Sequence, residues 1–78
     1  MIDDAPPTRR LALLGVPCPI NWAHAKAALA QMKPRETLEL LVDDPRAEQD
    51  IPRAAEMEGY CVVAVRHGND QLRILIEV

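Results

Sequence analysis

The segment Gly15-Val16-Pro17-Cys18-Pro19-Ile20-Asn21 holds the strongest candidate nucleophile of this 78-residue chain. Proline is favoured at the first position of a helix, where its missing N–H has no intrahelical partner and its φ is preset. The periodic run that follows therefore predicts a helix with Pro19 at its first position and Cys18 as the N-cap. The free N–H groups of a first turn and the positive end of the helix macrodipole stabilise an anion at that point. An ordinary thiol with a pKa near 8.5 is about 3% thiolate at pH 7, whereas one lowered to about 7 is half ionised. A persulfide on the same sulfur would be anionic and would gain from the same field. The competing reading is that Cys18 is a small turn residue, since cysteine is not among the usual caps. Spacing alone leaves the two readings balanced.

The other residues of chemical interest have plainer readings. Cys61 lies in an alternating apolar run and reads as a packed small hydrophobe rather than a resolving thiol. A disulfide between Cys18 and Cys61 stays open at this level, and a reducing cytosol would make it unusual. His24 and His67 have no ligand spacing with either cysteine, and a structural zinc needs about four ligands, so no metal is expected. His24 falls more than one helical turn past Cys18 and reads as a surface residue. Trp22 begins the apolar stripe of the helix and reads as core, partly exposed beside the sulfur. Lys26, Arg53, Arg9 and Arg10 read as scattered surface charge, the alternative being a basic rim for an acidic partner. Asp43, Asp44 and Asp50 read as capping and loop residues rather than as a catalytic carboxylate pair.

These residues need a scaffold, and the chain has the size of one small domain. Hydrophobic residues make up 49% of it, and the only aromatics are Trp22 and Tyr60, so the core must be aliphatic. A net charge of −3 argues against a nucleic-acid binder or a protein held on an anionic membrane. No apolar run reaches the roughly 18 residues of a membrane span, and the acidic, Pro-rich start lacks the basic region of a signal peptide. A cytoplasmic location is therefore expected. Residues 1–8 read as a loose tail and residues 9–78 as the domain. Strands are predicted over Arg9–Leu14, Thr37–Val42, Tyr60–Arg66 and Gln71–Val78. The first helix carries Trp22, Ala25, Leu29 and Met32 on one stripe, with His24, Lys26, Ala27 and Gln31 off it, and stops before Pro34. A second helix, kinked or restarted at Pro52, is predicted from about Pro45 to Glu58, with Gly59 as its stop. His67-Gly68-Asn69-Asp70 forms the turn of a hairpin between the last two strands. The fold expected is α+β: a two-layer α/β sandwich, β-α-β-α-β-β, whose four-stranded mixed sheet has two helices on one face.

At this point the chain resembles the TusA/SirA-type sulfur-carrier family. The resemblance rests on Leu14-Gly15-x-x-Cys18-Pro19, Lys33-Pro34-x-Glu36-x-Leu38, Asp43-Asp44-Pro45, Asp50-Ile51-Pro52 and Glu58-Gly59-Tyr60, in that order, from about Leu11 to Val78. It implies the same sandwich and no cofactor. It also implies that Cys18 accepts sulfane sulfur as a persulfide from a cysteine desulfurase or rhodanese-like donor. A downstream sulfur-acceptor protein then takes the sulfur, toward tRNA thiolation, cofactor biosynthesis or sulfur metabolism. Pro19, Ile20 and Asn21 are expected to stabilise the thiolate or persulfide, through the first-turn N–H groups of Ile20 and Asn21. The chain is expected to act as a monomer, with no direct contact to nucleic acid or membrane. It departs from the family's Cys-Pro-x-Pro at Asn21, which returns an N–H to the first turn and whose side chain is expected to reach back toward the Cys18 backbone. Arg35 stands at a turn position where the family commonly has Gly. The alternative reading is a non-catalytic interaction or regulatory module on the same fold, and RNA binding is a weaker third.

Overall fold

The computed structural model describes residues 7–78. Its elements run β1 (Arg9–Leu13), α1 (Ile20–Ala30), β2 (Thr37–Val42), α2 (Ala47–Met57), β3 (Cys61–His67) and β4 (Leu72–Glu77). The strands form one mixed sheet in the order β1-β2-β4-β3. β1 runs parallel to β2, with Leu11 opposite Leu40 and Leu13 opposite Val42. β4 lies antiparallel between β2 and β3, with Ile74 opposite Leu40 and Val65. The expected β-α-β-α-β-β sandwich is what the chain adopts.

Alternation decides which face of the sheet is inside. Leu38, Leu40, Val42, Ile74 and Ile76 are fully buried, while Glu39, Leu41, Arg73 and Leu75 between them point the other way. Ala25, Ala28 and Leu29 from α1 and Ala47, Ile51 and Ala55 from α2 complete the core. Burying each Leu or Ile stabilises the fold by about 1.5–3 kcal/mol. The core is aliphatic, with Trp22 and Tyr60 half-buried at its margin. His24, Lys26, Ala27 and Gln31, predicted off the stripe, are all exposed. Among the described residues no helix is long and apolar enough to cross a membrane.

Several boundaries differ from expectation for identifiable reasons. α1 starts at Ile20 and Pro19 is its N-cap, so Cys18 lies one residue outside the cap. The helix ends at Ala30 rather than Lys33, because Gln31 and Met32 donate to Ala28 and Leu29, three residues back, which tightens the last turn. α2 is one continuous helix with Pro52 inside it, past the first turn. Only one helical hydrogen bond is forfeited there, and full burial of Ala47, Ile51 and Ala55 offsets the loss. α2 stops as predicted: Gly59 has φ +91°, and Tyr60 and Gly59 donate to Ala55 and Glu56 in a Schellman arrangement. In the β3–β4 turn, Asp70 takes the left-handed conformation, with φ 58°. Residues 1–6 of the expected tail lie outside the described residues. Thr8 is tied to β2, its N–H and hydroxyl pairing reciprocally with those of Thr37.

Candidate functional site around Cys18

Because β1 and β2 are parallel neighbours, the loops that follow them leave from the same end of the sheet. The first carries Cys18 and the second carries Asp43 and Asp44. The Gly15 N–H donates to both oxygens of the Asp43 carboxylate, at 3.0 and 3.1 Å. The Cys18 N–H donates to Asp44 Oδ2 at 3.0 Å. The other oxygen, Oδ1, accepts the Arg46 N–H at 2.9 Å, and the Asp44 carbonyl accepts the Ala47 N–H at 2.9 Å. Asp44 thus joins the start of α2 to the cysteine loop. The Cys18 N–H, then that of Arg46 and then its guanidinium hold the Asp44 carboxyl below its ordinary pKa, against partial burial that acts the other way. Asp43 and Asp44 are the loop residues the sequence implies. What sequence reasoning missed is that they act across loops, on Gly15 and Cys18; the signal available was an Asp pair at the end of a strand predicted to cross over from the first.

Cys18 is half-buried and free, and a cis peptide links it to Pro19. The Asn21 N–H donates to the Pro17 carbonyl at 3.0 Å, and the Ala23 N–H to Pro19 at 3.1 Å. The expectation that the Asn21 N–H faces the sulfur is therefore corrected, because it closes the turn before the helix instead. Its side chain does not reach the Cys18 backbone either. Asn21 is fully buried, and neither its amide oxygen nor its amide nitrogen has a hydrogen-bond partner. Ile20, by contrast, is exposed at the helix start. Its N–H and that of Trp22 meet no acceptor among the described residues.

Beside the thiol lies an open groove of about 270 Å³ between α1 and α2. Cys18, Pro19 and Trp22 form one wall and Ile51, Ala54 and Met57 the other, with Asp50 and Arg53 at its polar margin. Met57 is 82% exposed although it is an apolar residue facing this groove. Of the basic residues considered for a rim, only Arg53 lines it. Lys26 is paired with Glu58 at 3.3 Å, and Arg10 with Glu39 at 3.3 Å on the sheet. His24 is exposed on α1.

Cys61 is a correction. It is exposed rather than packed, because it opens edge strand β3 opposite Glu77 and points away from the helices. Glu77 in turn sits opposite Thr37, at the far end of β2 from the cysteine loop. Five residues of strand separate the two ends, about 17 Å. A disulfide needs Cα atoms within about 7 Å, so Cys18 and Cys61 do not pair in this fold.

The family model described as Sulfurtransferase TusA matches residues 9–78. The chain belongs to the TusA family. It is 34% identical over 71 residues to "Putative sulfur carrier protein YedF" of Escherichia coli, covering 91% of this chain and 92% of that one. A protein of Archaeoglobus fulgidus, named "Putative sulfur carrier protein", is 35% identical over 68 residues, covering 86% of this chain and 77% of the other. Among solved structures, the SirA-like protein of Desulfitobacterium hafniense superimposes with a TM-score of 0.79 at 28% identity, over 90% of this chain and 96% of that one. In this chain the fold places Cys18-Pro19 at the mouth of an apolar groove.

Proposed function

We propose that this TusA-family protein is a cytoplasmic sulfur carrier, with Cys18 as the residue that holds the sulfur. The observation that carries the reading is the seating of Cys18: a half-buried free thiol, its backbone tied to Asp44, at the mouth of a groove between two helices. The relatives named as sulfur carriers support it.

In this reading the Cys18 thiolate attacks the outer sulfur of a donor persulfide. The S–S bond of the donor breaks, a new S–S bond forms at Cys18, and the donor cysteine leaves as a thiolate with the bonding electron pair. An acceptor thiolate then attacks the outer sulfur on Cys18 and releases the Cys18 thiolate by the same exchange. No external oxidant or reductant is consumed. Pro19 sets the helix start, and the free N–H groups of Ile20 and Trp22 face the anion at the positive end of the helix. Asn21 acts by closing the Pro17 turn that presents the thiol. A small surface binds little by itself, so donor and acceptor proteins dock around the groove and supply the rest of each reaction site. The donor is a cysteine desulfurase or rhodanese-like protein, and the carrier works as a monomer.

The test is intact-mass analysis of the reduced protein after incubation with a cysteine desulfurase and cysteine, or with a rhodanese and thiosulfate. A gain of one sulfur atom, reversed by reductant, absent in Cys18→Ser and kept in Cys61→Ser, is expected. Loading that depends on Cys61 instead would sink the assignment. No loading from either donor would leave an interaction module on a carrier fold.

A further inference from the structure

The sheet has two faces, and the helices cover only one. On the bare face, one register row runs Ala12, Leu41, Arg73 and Arg66 across all four strands. Arg66 and Arg73 stand directly opposite each other on antiparallel neighbours. Like charges in that position repel and destabilise the sheet. Arg10, on the same face, is matched by Glu39. Among the described residues neither Arg66 nor Arg73 has an ion-pair partner. Both border a cleft of about 430 Å³, and Arg73 also borders one of about 290 Å³ beside Ala12 and Leu41. Asp43, Glu48 and Asp70 line an adjoining cleft, which α2 helps to form and which meets the first at His67, Gly68 and Gln71. Among the described residues, then, two guanidinium groups on adjacent strands of this face are left unneutralised in a chain of net charge −3.

We infer that this face is a docking surface for an acidic segment of a partner protein, whose carboxylates pair with Arg66 and Arg73 and whose apolar side chains cover Leu41 and Leu75. The arginine fork matches a carboxylate with two parallel hydrogen bonds. Leu41 and Leu75, half-buried on this face, supply the apolar floor beside them. RNA fits less well. Trp22 lines the Cys18 groove and Tyr60 packs on the core, so the face has no aromatic platform on which bases could stack. The row lies one residue in from the sheet end that carries the cysteine loop. A partner held there sits at the same end of the molecule as the thiol, on a surface separate from the groove.

Fluorescence anisotropy tests this with a labelled peptide of alternating Glu and Leu, and with labelled poly(U) as the RNA probe. Wild-type chain and an Arg66→Ser/Arg73→Ser variant are compared, with sulfur loading at Cys18 followed in parallel. Saturable peptide binding is expected, weakened about tenfold in the variant, as for loss of two exposed charge-assisted contacts, and weakened also by salt. Loading at Cys18 is expected to be the same in both proteins, so failure here is distinguishable from failure of the carrier reading. No peptide binding, equal binding by the two proteins, or tighter binding of poly(U) than of peptide overturns the proposal. Arg73→Glu supplies a second arm. Turning the like-charge pair into an opposite pair should raise the thermal midpoint and abolish peptide binding, and retained binding in that variant overturns the proposal at any stability.

Discussion

The Cys18 N–H donates to Asp44 Oδ2 at 3.0 Å, although the two residues are 26 positions apart in the chain. That bond holds the cysteine loop against the start of α2, beside the groove that opens between α1 and α2. Asp44→Ala should therefore loosen the loop, lower stability and slow sulfur loading, as read by denaturation and by intact mass. The pH dependence follows from its lowered pKa. A carboxyl whose folded pKa lies below its unfolded value adds stability that is complete above the unfolded value. The contribution is lost as pH falls through the folded value. The stability gap between wild type and Asp44→Asn should accordingly close in acid, and a gap that stays constant from neutral to acid pH would contradict this.

Asn21 should be replaceable at a gain. A buried polar group without a partner costs about 1–3 kcal/mol, and Leu keeps the branched shape of Asn while adding volume. Asn21→Leu should raise the free energy of unfolding in a urea titration by less than that amount, since the N–H bond to Pro17 is kept but the larger side chain crowds the core. Destabilisation of Asn21→Leu and of the smaller Asn21→Val alike would mean that the amide is hydrogen-bonded in solution.

Arg35 has φ 73° and donates its N–H to Val78 at 2.9 Å. The left-handed conformation costs a non-glycine residue about 1–2 kcal/mol, against roughly 0.5–1 kcal/mol of extra chain entropy for Gly. Arg35→Gly should be more stable by roughly 0.5–1 kcal/mol in thermal or chemical denaturation, whereas Arg35→Val should be destabilised.

Met57 tests the groove independently of the thiol. Because the side chain is 82% exposed, Met57→Ser should change stability by less than about 0.5 kcal/mol. If donors seat on the groove, half-maximal loading of Cys18 should require about tenfold more donor, the weight of one well-packed interface side chain. Unchanged donor dependence would place the docking elsewhere.

Much of the molecule can be read from local pattern. The 2-residue alternation of Leu72, Ile74 and Ile76 and the three-and-four spacing of Trp22, Ala25, Leu29 and Met32 specify which face each element buries. Gly59 ends α2, because backbone conformation at such a point is set by one or two residues. Cys18-Pro19 at a helix start is legible for the same reason, to within one residue.

Other features depend on which distant segments meet. Pairing of parallel β1 with β2 brings the Asp43-Asp44 loop to the cysteine loop, and no periodicity within either loop encodes that contact. Cys61 alternates like a core residue but lies on an edge strand facing away from the helices, so it is exposed. Asn21 is polar by type yet buried by the packing of α1, and Pro52 is held inside α2 because the residues around it are locked into the core. By itself the sequence determined the order of the elements, their buried faces and the place of Cys18 beside a helix start, all of which rest on short-range geometry. Only the tertiary structure decided what surrounds that cysteine, because strand order and helix packing choose the neighbours across the chain.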